Sequence, residues 1–189
     1  MIKLVDLLKE INEAKQIGDI YHFTSTEALG NMIEESGNVT LDIEAGSMAA
    51  GGYYSFTRNP NLGTLAEEKH HVRFKLDGDK MSTKYKFEPY ADKESGEDFL
   101  KGGPNFEAEE RINSKGKPLN LTPFITEITI LSPESFKEYL EDYHSGQEGS
   151  SYYKESLRLY NISLDWVYSS GIPYKLSGKR TTAGIRKIR

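Results

Sequence analysis

One stretch decides the fold: Ile20-Tyr21-His22-Phe23-Thr24-Ser25-Thr26-Glu27. Its apolar and aromatic first half is typical of a β-strand, and it runs directly into the start of a helix. Thr24 is placed to cap that helix, Glu27 three residues later to close a capping box, and Gly37 to end it. The pattern therefore predicts His22 at the carboxyl end of a strand, beside a helix N-terminus. Ligands collect at such places in mixed α/β folds.

The composition indicates one domain with a solvated surface. The chain has 189 residues, of which 37% are hydrophobic and 28% charged, and its net charge is −5. This charge argues against a generic nucleic-acid-binding protein. The absence of cysteine excludes disulfides and thiolate chemistry. The lack of cysteine also fits a protein of the cytoplasm. No apolar run approaches the length of a membrane span.

The first residues predict an amphipathic helix over 2–15, with Leu4, Leu7, Leu8 and Ile11 forming one apolar stripe. Two interpretations stay open, a helix that packs on the domain and a removable targeting segment. The second rests on Ile11-Asn12-Glu13-Ala14, which resembles the cleavage pattern of prohead proteases in large tailed phages. Such phages use short amphipathic segments of this kind to send internal proteins into the head.

Three further runs alternate like strands. In the first, 53–58, Ser55 and Thr57 share one face, while Tyr54, Phe56 and Arg58 share the other. The second, 71–77, turns Val72, Phe74 and Leu76 inward, and the third covers 124–130. A helix is predicted from Ser132 onward, a second helix over 152–160, and a strand over 162–168.

Three carboxylates lie within four positions at the start of another predicted strand, which continues to Ile112. They are Glu107, Glu109 and Glu110. The four histidines show no spacing typical of metal ligands, so no metal site is predicted. The last eleven residues, 179–189, carry five basic residues and no acidic one.

The order of these features resembles the ADP-ribosyltransferase family, whose split β-sheet binds NAD in a cleft. Tyr21-His22-Phe23-Thr24 and its helix look like the first motif of the histidine-bearing branch, which includes DNA-modifying toxins of toxin–antitoxin systems. Ser55-Phe56-Thr57 looks like the Ser-x-Ser/Thr motif of the arginine-using branch. Glu107-Ala108-Glu109 matches the Glu-x-Glu motif. The chain mixes features of two branches and has no clear counterpart of the second-strand tyrosine, although Tyr53 and Tyr54 are available.

The resemblance implies roles for these residues. Cleavage of the nicotinamide–ribose bond passes through an oxocarbenium-like state, which a carboxylate can stabilise. Glu109 is the catalytic residue by motif, with Glu110 as a rival and Glu107 as a second carboxylate that could orient the acceptor. The residues expected to hold NAD are His22, Thr24, Ser55, Thr57 and Arg58. Arg58 suits the pyrophosphate because its planar fork matches phosphate oxygens.

The sequence thus predicts an α+β protein with a split antiparallel β-sheet of the ADP-ribosyltransferase type. Its expected parts are an N-terminal helix over 1–17, the domain over 18–178 and a basic tail over 179–189. The expected function is transfer of ADP-ribose from NAD, without a metal, to a host or phage macromolecule, in the host cytoplasm or from the virion. The alternatives are a non-enzymatic virion or internal head protein that keeps the fold, and a nucleic-acid-associated accessory protein that uses the basic tail.

Overall fold

The structure, a computed structural model, describes residues 17–42, 53–60, 70–90, 109–113, 117–143 and 149–178. These residues form nine strands: β1 (Asp19–Thr24), β2 (Thr40–Leu41), β3 (Tyr53–Thr57), β4 (Val72–Asp77), β5 (Phe87–Tyr90), β6 (Glu109–Asn113), β7 (Leu119–Asn120), β8 (Ile125–Leu131) and β9 (Tyr174–Ser177). They also form four α-helices: α1 (Thr26–Ser36), α2 (Gly78–Ser82), α3 (Pro133–Tyr143) and α4 (Ser151–Ser169). The fold is a mixed α+β fold, as the sequence predicted.

Seven strands form the main sheet in the order β5-β6-β3-β1-β4-β8-β9, and β2 and β7 pair separately. All neighbours in the main sheet are antiparallel except β8 and β9, which are parallel. The chain crosses from β8 to β9 through α3 and α4. The sheet is therefore mostly antiparallel, and β1, the strand of the opening stretch, lies at its centre.

One hydrophobic core joins the apolar face of the sheet to all four helices. The alternation predicted for β4 is confirmed, because Val72, Phe74 and Leu76 are fully buried. Buried side chains from the helices join the same cluster, among them Leu29, Met81, Phe136 and Tyr160. The predicted strand over 124–130 is also confirmed as β8, except that Phe124 belongs to a preceding 3-10 turn.

The start of α1 differs from the prediction by one residue. Thr24 is the last residue of β1, pairs with Val72 and is buried, so it does not cap the helix. Ser25 is the cap instead, and its Oγ accepts a hydrogen bond of 3.1 Å from the Ala28 backbone N–H. Glu27 is then not at the third helical position, which a capping box requires. The predicted end at Gly37 is confirmed, since Gly37 adopts the left-handed conformation with φ 68°.

The strand predicted over 162–168 is wrong, because these residues continue α4. Ser150 caps the helix, since its Oγ accepts from the Tyr153 N–H, and no glycine or proline interrupts α4. Its buried positions recur at helical spacing, and they are Ser156, Leu159, Tyr160, Ser163, Leu164 and Val167. The β-branched and aromatic residues of this stretch therefore serve a helix, because tertiary packing overrides local propensity.

Close packing joins α1 to α4. A Cβ on Gly30 would lie 2.6 Å from the backbone oxygen of Leu159, so only glycine allows this approach. The Ser163 hydroxyl donates to the Thr26 backbone oxygen at 2.9 Å. The sequence did not predict the short helix α2 or the edge strand β9. The predicted N-terminal helix, Glu107 and the basic tail lie outside the described residues.

Candidate functional site

The three strands that carry the sequence motifs are neighbours in the sheet. His22 lies on β1, Ser55 and Thr57 lie on β3, and Glu109 and Glu110 lie on β6. The strand order places them side by side as β6-β3-β1. Residues as far apart in sequence as His22 and Glu110 are thus brought onto three neighbouring strands.

A single row on the apolar face of these strands contains His22, Phe56 and Glu110. Glu110 lies directly opposite Phe56 in the β3–β6 register. Tyr21 lies opposite Thr57, so the next residues, His22 and Phe56, are also neighbours, and their ring centroids are 5.8 Å apart. Because paired residues in a sheet share a face, the row joins a histidine to a carboxylate across one aromatic ring.

Glu110 is a carboxylate in a core position, with only 3% of its surface exposed. Arg58, just past the end of β3, donates from its Nη2 to the Glu110 Oε1 at 2.6 Å. The Arg58 side chain is 39% exposed. A buried charge needs a partner, and for the Glu110 carboxylate that partner is the guanidinium of Arg58, whose side chain is part-exposed.

Of all neighbouring strands in the seven-stranded sheet, β1 and β3 pair at the fewest positions. These strands pair at one position, Tyr21 with Thr57, whereas β1 and β4 pair at six. The next rung would set Phe23 opposite Ser55, and there the His22 ring interacts with the Ser55 backbone instead. The histidine side chain thus occupies the place where the two strands separate.

The His22 ring is neutral at physiological pH. Burial lowers its pKa from 6.5 to about 4, with a smaller contribution from the nearby His70, and the hydrogen bond with the Ser55 backbone opposes this shift. A neutral imidazole keeps one donor and one acceptor nitrogen. It is therefore suited to hydrogen-bond a sugar hydroxyl and is unsuited to act as a cation at neutral pH.

The remaining predicted site residues divide between two faces of the sheet. Ser55 and Thr57 lie on the polar face, since they alternate with the buried Tyr54 and Phe56, and Thr57 is itself buried. The Thr57 hydroxyl accepts from the Asn59 N–H at 3.0 Å, so it supports the turn that carries Arg58. Thr24 is buried at the end of β1. Glu109 opens β6 opposite Thr57, and only its backbone is described.

The polar face carries a network of charged side chains around Arg73. Arg73 donates to the Pro60 backbone oxygen at 2.9 Å and to the Thr129 hydroxyl at 3.0 Å, and its guanidinium lies 5.6 Å from the Tyr21 ring centroid. Lys75 pairs with Asp19 at 2.7 Å on the same face. Arg73 and Lys75 thus have partners on the polar face, whereas Arg58 on the other face bonds the buried Glu110.

Sequence reasoning missed how Arg58 and Glu110 meet, although the signal was available. Glu110 is two residues before Ile112, so the alternation of β6 turns both toward the core.

Among the residues that the structure describes, no group of three potential ligands could hold a metal ion. Within the same residues, no helix is long and apolar enough to cross a membrane.

Comparison of the chain with protein-family models, with curated proteins and with solved structures returned no match. The arrangement of His22, Arg58 and Glu110 must therefore be interpreted from its own chemistry. It combines a neutral imidazole, a carboxylate held away from water and a part-exposed guanidinium.

Proposed function

We propose that the protein binds NAD where β1 and β3 separate and transfers its ADP-ribose to a host or phage macromolecule. One observation carries the proposal: the three motif-bearing strands are neighbours, and His22 and Glu110 lie in one row, with Arg58 bonded to Glu110. The ADP-ribosyltransferase type of split sheet is part of this proposal. The single pair between β1 and β3 supports it.

The proposed roles follow from the chemistry of each group. Arg58 would bind the pyrophosphate with a planar, always charged fork. His22, neutral at pH 7, would hydrogen-bond a ribose hydroxyl. A carboxylate would stabilise the positive charge that develops on the ribose as nicotinamide leaves. Glu110 is favoured for this role over Glu109, because its shielding from water strengthens such an interaction.

The test is transfer of label from NAD to components of a host lysate. We expect transfer by the intact protein and loss of about a hundredfold or more with Glu110→Gln, the scale of removing one stabilising group from a transition state. Glu109→Gln tests the rival assignment. Glu88→Gln on the adjacent strand β5 is the matched control, since the Glu88 side chain is part-exposed and pairs with Lys86. Absence of NAD binding and turnover in the intact protein would remove the enzymatic proposal.

A second candidate function is a non-enzymatic virion or internal head protein with the same fold. The ion pair between Arg58 and the buried Glu110 favours it, because a neutralised carboxylate can serve structure alone. Mass spectrometry of virions tests the associated packaging hypothesis. A chain that begins at Ala14 would support removal of residues 1–13, and full-length protein alone would contradict it.

A further inference from the structure

The contact between Arg58 and Glu110 joins two groups in different surroundings. Glu110 is shielded from water, while 39% of the Arg58 side chain is exposed. The contact uses one guanidinium nitrogen, Nη2, on one carboxylate oxygen. A guanidinium carries five N–H donors in a fixed fork, so this contact engages only part of its capacity. Arg58 therefore retains N–H donors for a ligand, and its side chain is part-exposed.

We propose that Arg58 is an exchangeable counter-ion, which neutralises Glu110 in the ligand-free protein and is drawn away from it by the pyrophosphate of a bound nucleotide. This inference rests on the proposed function, because it concerns the same site. Its consequence is that Glu110 competes with the ligand for Arg58. The carboxylate then loses its arginine partner only when NAD is bound, at the moment when its charge is needed by the ribose.

The other well-placed arginines of the described residues show why Arg58 is the exchangeable one. Arg73 is committed to Pro60 and Thr129 on the polar face. Arg158 bonds Glu34 and Glu155 on the outer surfaces of α1 and α4, where both carboxylates are exposed. Of these three arginines, Arg58 is the one whose part-exposed side chain bonds a buried carboxylate.

In this exchange the Arg58 guanidinium trades a carboxylate acceptor for phosphate acceptors. Carboxylate and phosphate oxygens are both strong acceptors for a guanidinium, and pyrophosphate offers several of them in the bidentate geometry that the fork prefers. Binding therefore replaces one charge-assisted hydrogen bond by two or more. Its cost is the loss of the Glu110 contact, and removal of the Glu110 charge should abolish that cost.

The experiment is calorimetric titration with inorganic pyrophosphate and, separately, with ADP-ribose. Pyrophosphate has no ribose, so it cannot contact Glu110 through a sugar and reports on Arg58 alone. We expect Glu110→Gln to bind pyrophosphate about five- to tenfold more tightly than the wild type, as expected for removal of one competing charge-assisted hydrogen bond. We expect Arg58→Gln to weaken the binding of both ligands by about tenfold or more.

Two control variants separate this exchange from simple changes of charge. Glu88→Gln removes one negative charge from β5, next to the site, but Glu88 pairs with Lys86. Arg158→Gln removes one positive charge from an arginine that pairs with Glu34 and Glu155 on the outer surfaces of α1 and α4. Neither should change the affinity for pyrophosphate by more than about twofold, since screened surface charges interact weakly with a separate site.

The outcomes distinguish the two proposals. Tighter pyrophosphate binding by Glu110→Gln but not by Glu88→Gln would support the exchange. If both ligands bind and Arg58→Gln weakens them, but Glu110→Gln binds no more tightly, the exchange is overturned and the NAD site stands. Equal tightening by Glu110→Gln and Glu88→Gln also overturns it. If neither ligand binds to any variant, both proposals fall.

Discussion

The two halves of the main sheet use the same row of positions in opposite ways. From β1 toward β4 and β8 the row contains His22, Phe74 and Ile128, and the last two side chains are fully buried. From β1 toward β3 and β6 the row contains His22, Phe56 and Glu110. Two strands away from β1, one side has the aliphatic Ile128 and the other the carboxylate Glu110, although both lie on the apolar face.

The backbone shows the same difference. β4 pairs with β1 at six positions, whereas β3 pairs with β1 at one. The ladder between β1 and β4 is thus continuous, whereas the single pair between β1 and β3 leaves room at their junction for the His22 ring. A fold that violates its own pattern at one place commonly does so at a functional site. The difference between the two halves therefore favours the β3 side of β1 as the proposed site for NAD.

The largest effect is expected from the β4 half. Phe74→Ala removes a fully buried ring, and we expect the free energy of unfolding to fall by about 3–5 kcal/mol, as for other large-to-small core substitutions. Chemical denaturation with urea measures this. Phe74→Leu keeps most of the volume and should cost about 1.5 kcal/mol or less. A loss below about 1 kcal/mol for Phe74→Ala would mean that the β4 half of the sheet is not the main support of the fold.

The same difference explains how much of the molecule the sequence could predict. β4 alternates strictly, so periodicity alone identified its buried face. The order of the motif strands could not be obtained in this way, because strand neighbours are set by contacts between distant segments. β9 was missed because it has only four residues, mostly exposed, and so short a run is not enough for its Tyr-Lys-Leu-Ser alternation to identify a strand.

The errors have identifiable physical causes. The stretch 162–168 contains residues that favour strands, but its burial follows the helical period of α4. Thr24 and Ser25 are both suitable caps, and the ladder with Val72 decided between them by retaining Thr24 in β1. The strands that carry the candidate residues were predictable, and the role of Arg58 stays a prediction. The choice between Glu109 and Glu110 depended on where β6 begins, which short motifs define poorly.

The second prediction concerns acid stability and depends on His22. Because burial holds its pKa at about 4 in the folded protein, against 6.5 when unfolded, the unfolded chain binds the proton more tightly. The stabilising contribution is therefore complete above pH 6.5 and is lost as the pH falls toward about 4. By linkage the loss is about 3 kcal/mol, and His22→Gln should remove it.

Denaturation at several pH values measures this slope, and NMR titration of the His22 ring measures its pKa directly. Burial also lowers the pKa of His70, so the variant His22→Gln should keep a smaller slope in the same direction. A His22 ring that titrates near 6.5 in the folded protein would contradict its enclosure between β1 and β3, and with it the contrast between the two halves of the sheet.

The smallest expected effects test what the ion pair contributes to stability. Arg58→Met leaves the buried Glu110 without its arginine and should cost about 2–3 kcal/mol of unfolding free energy, because a buried charge has lost a charge-assisted hydrogen bond. Glu110→Met leaves only the part-exposed Arg58, which water can solvate, and should change stability by about 1 kcal/mol or less. Urea denaturation of the two variants at neutral pH compares them. If Glu110→Met costs as much as Arg58→Met, the pair is a structural element like Phe74 and Ile128. If the asymmetry holds, the carboxylate occupies a core position at little benefit to the fold, which is the expected behaviour of a residue retained for chemistry.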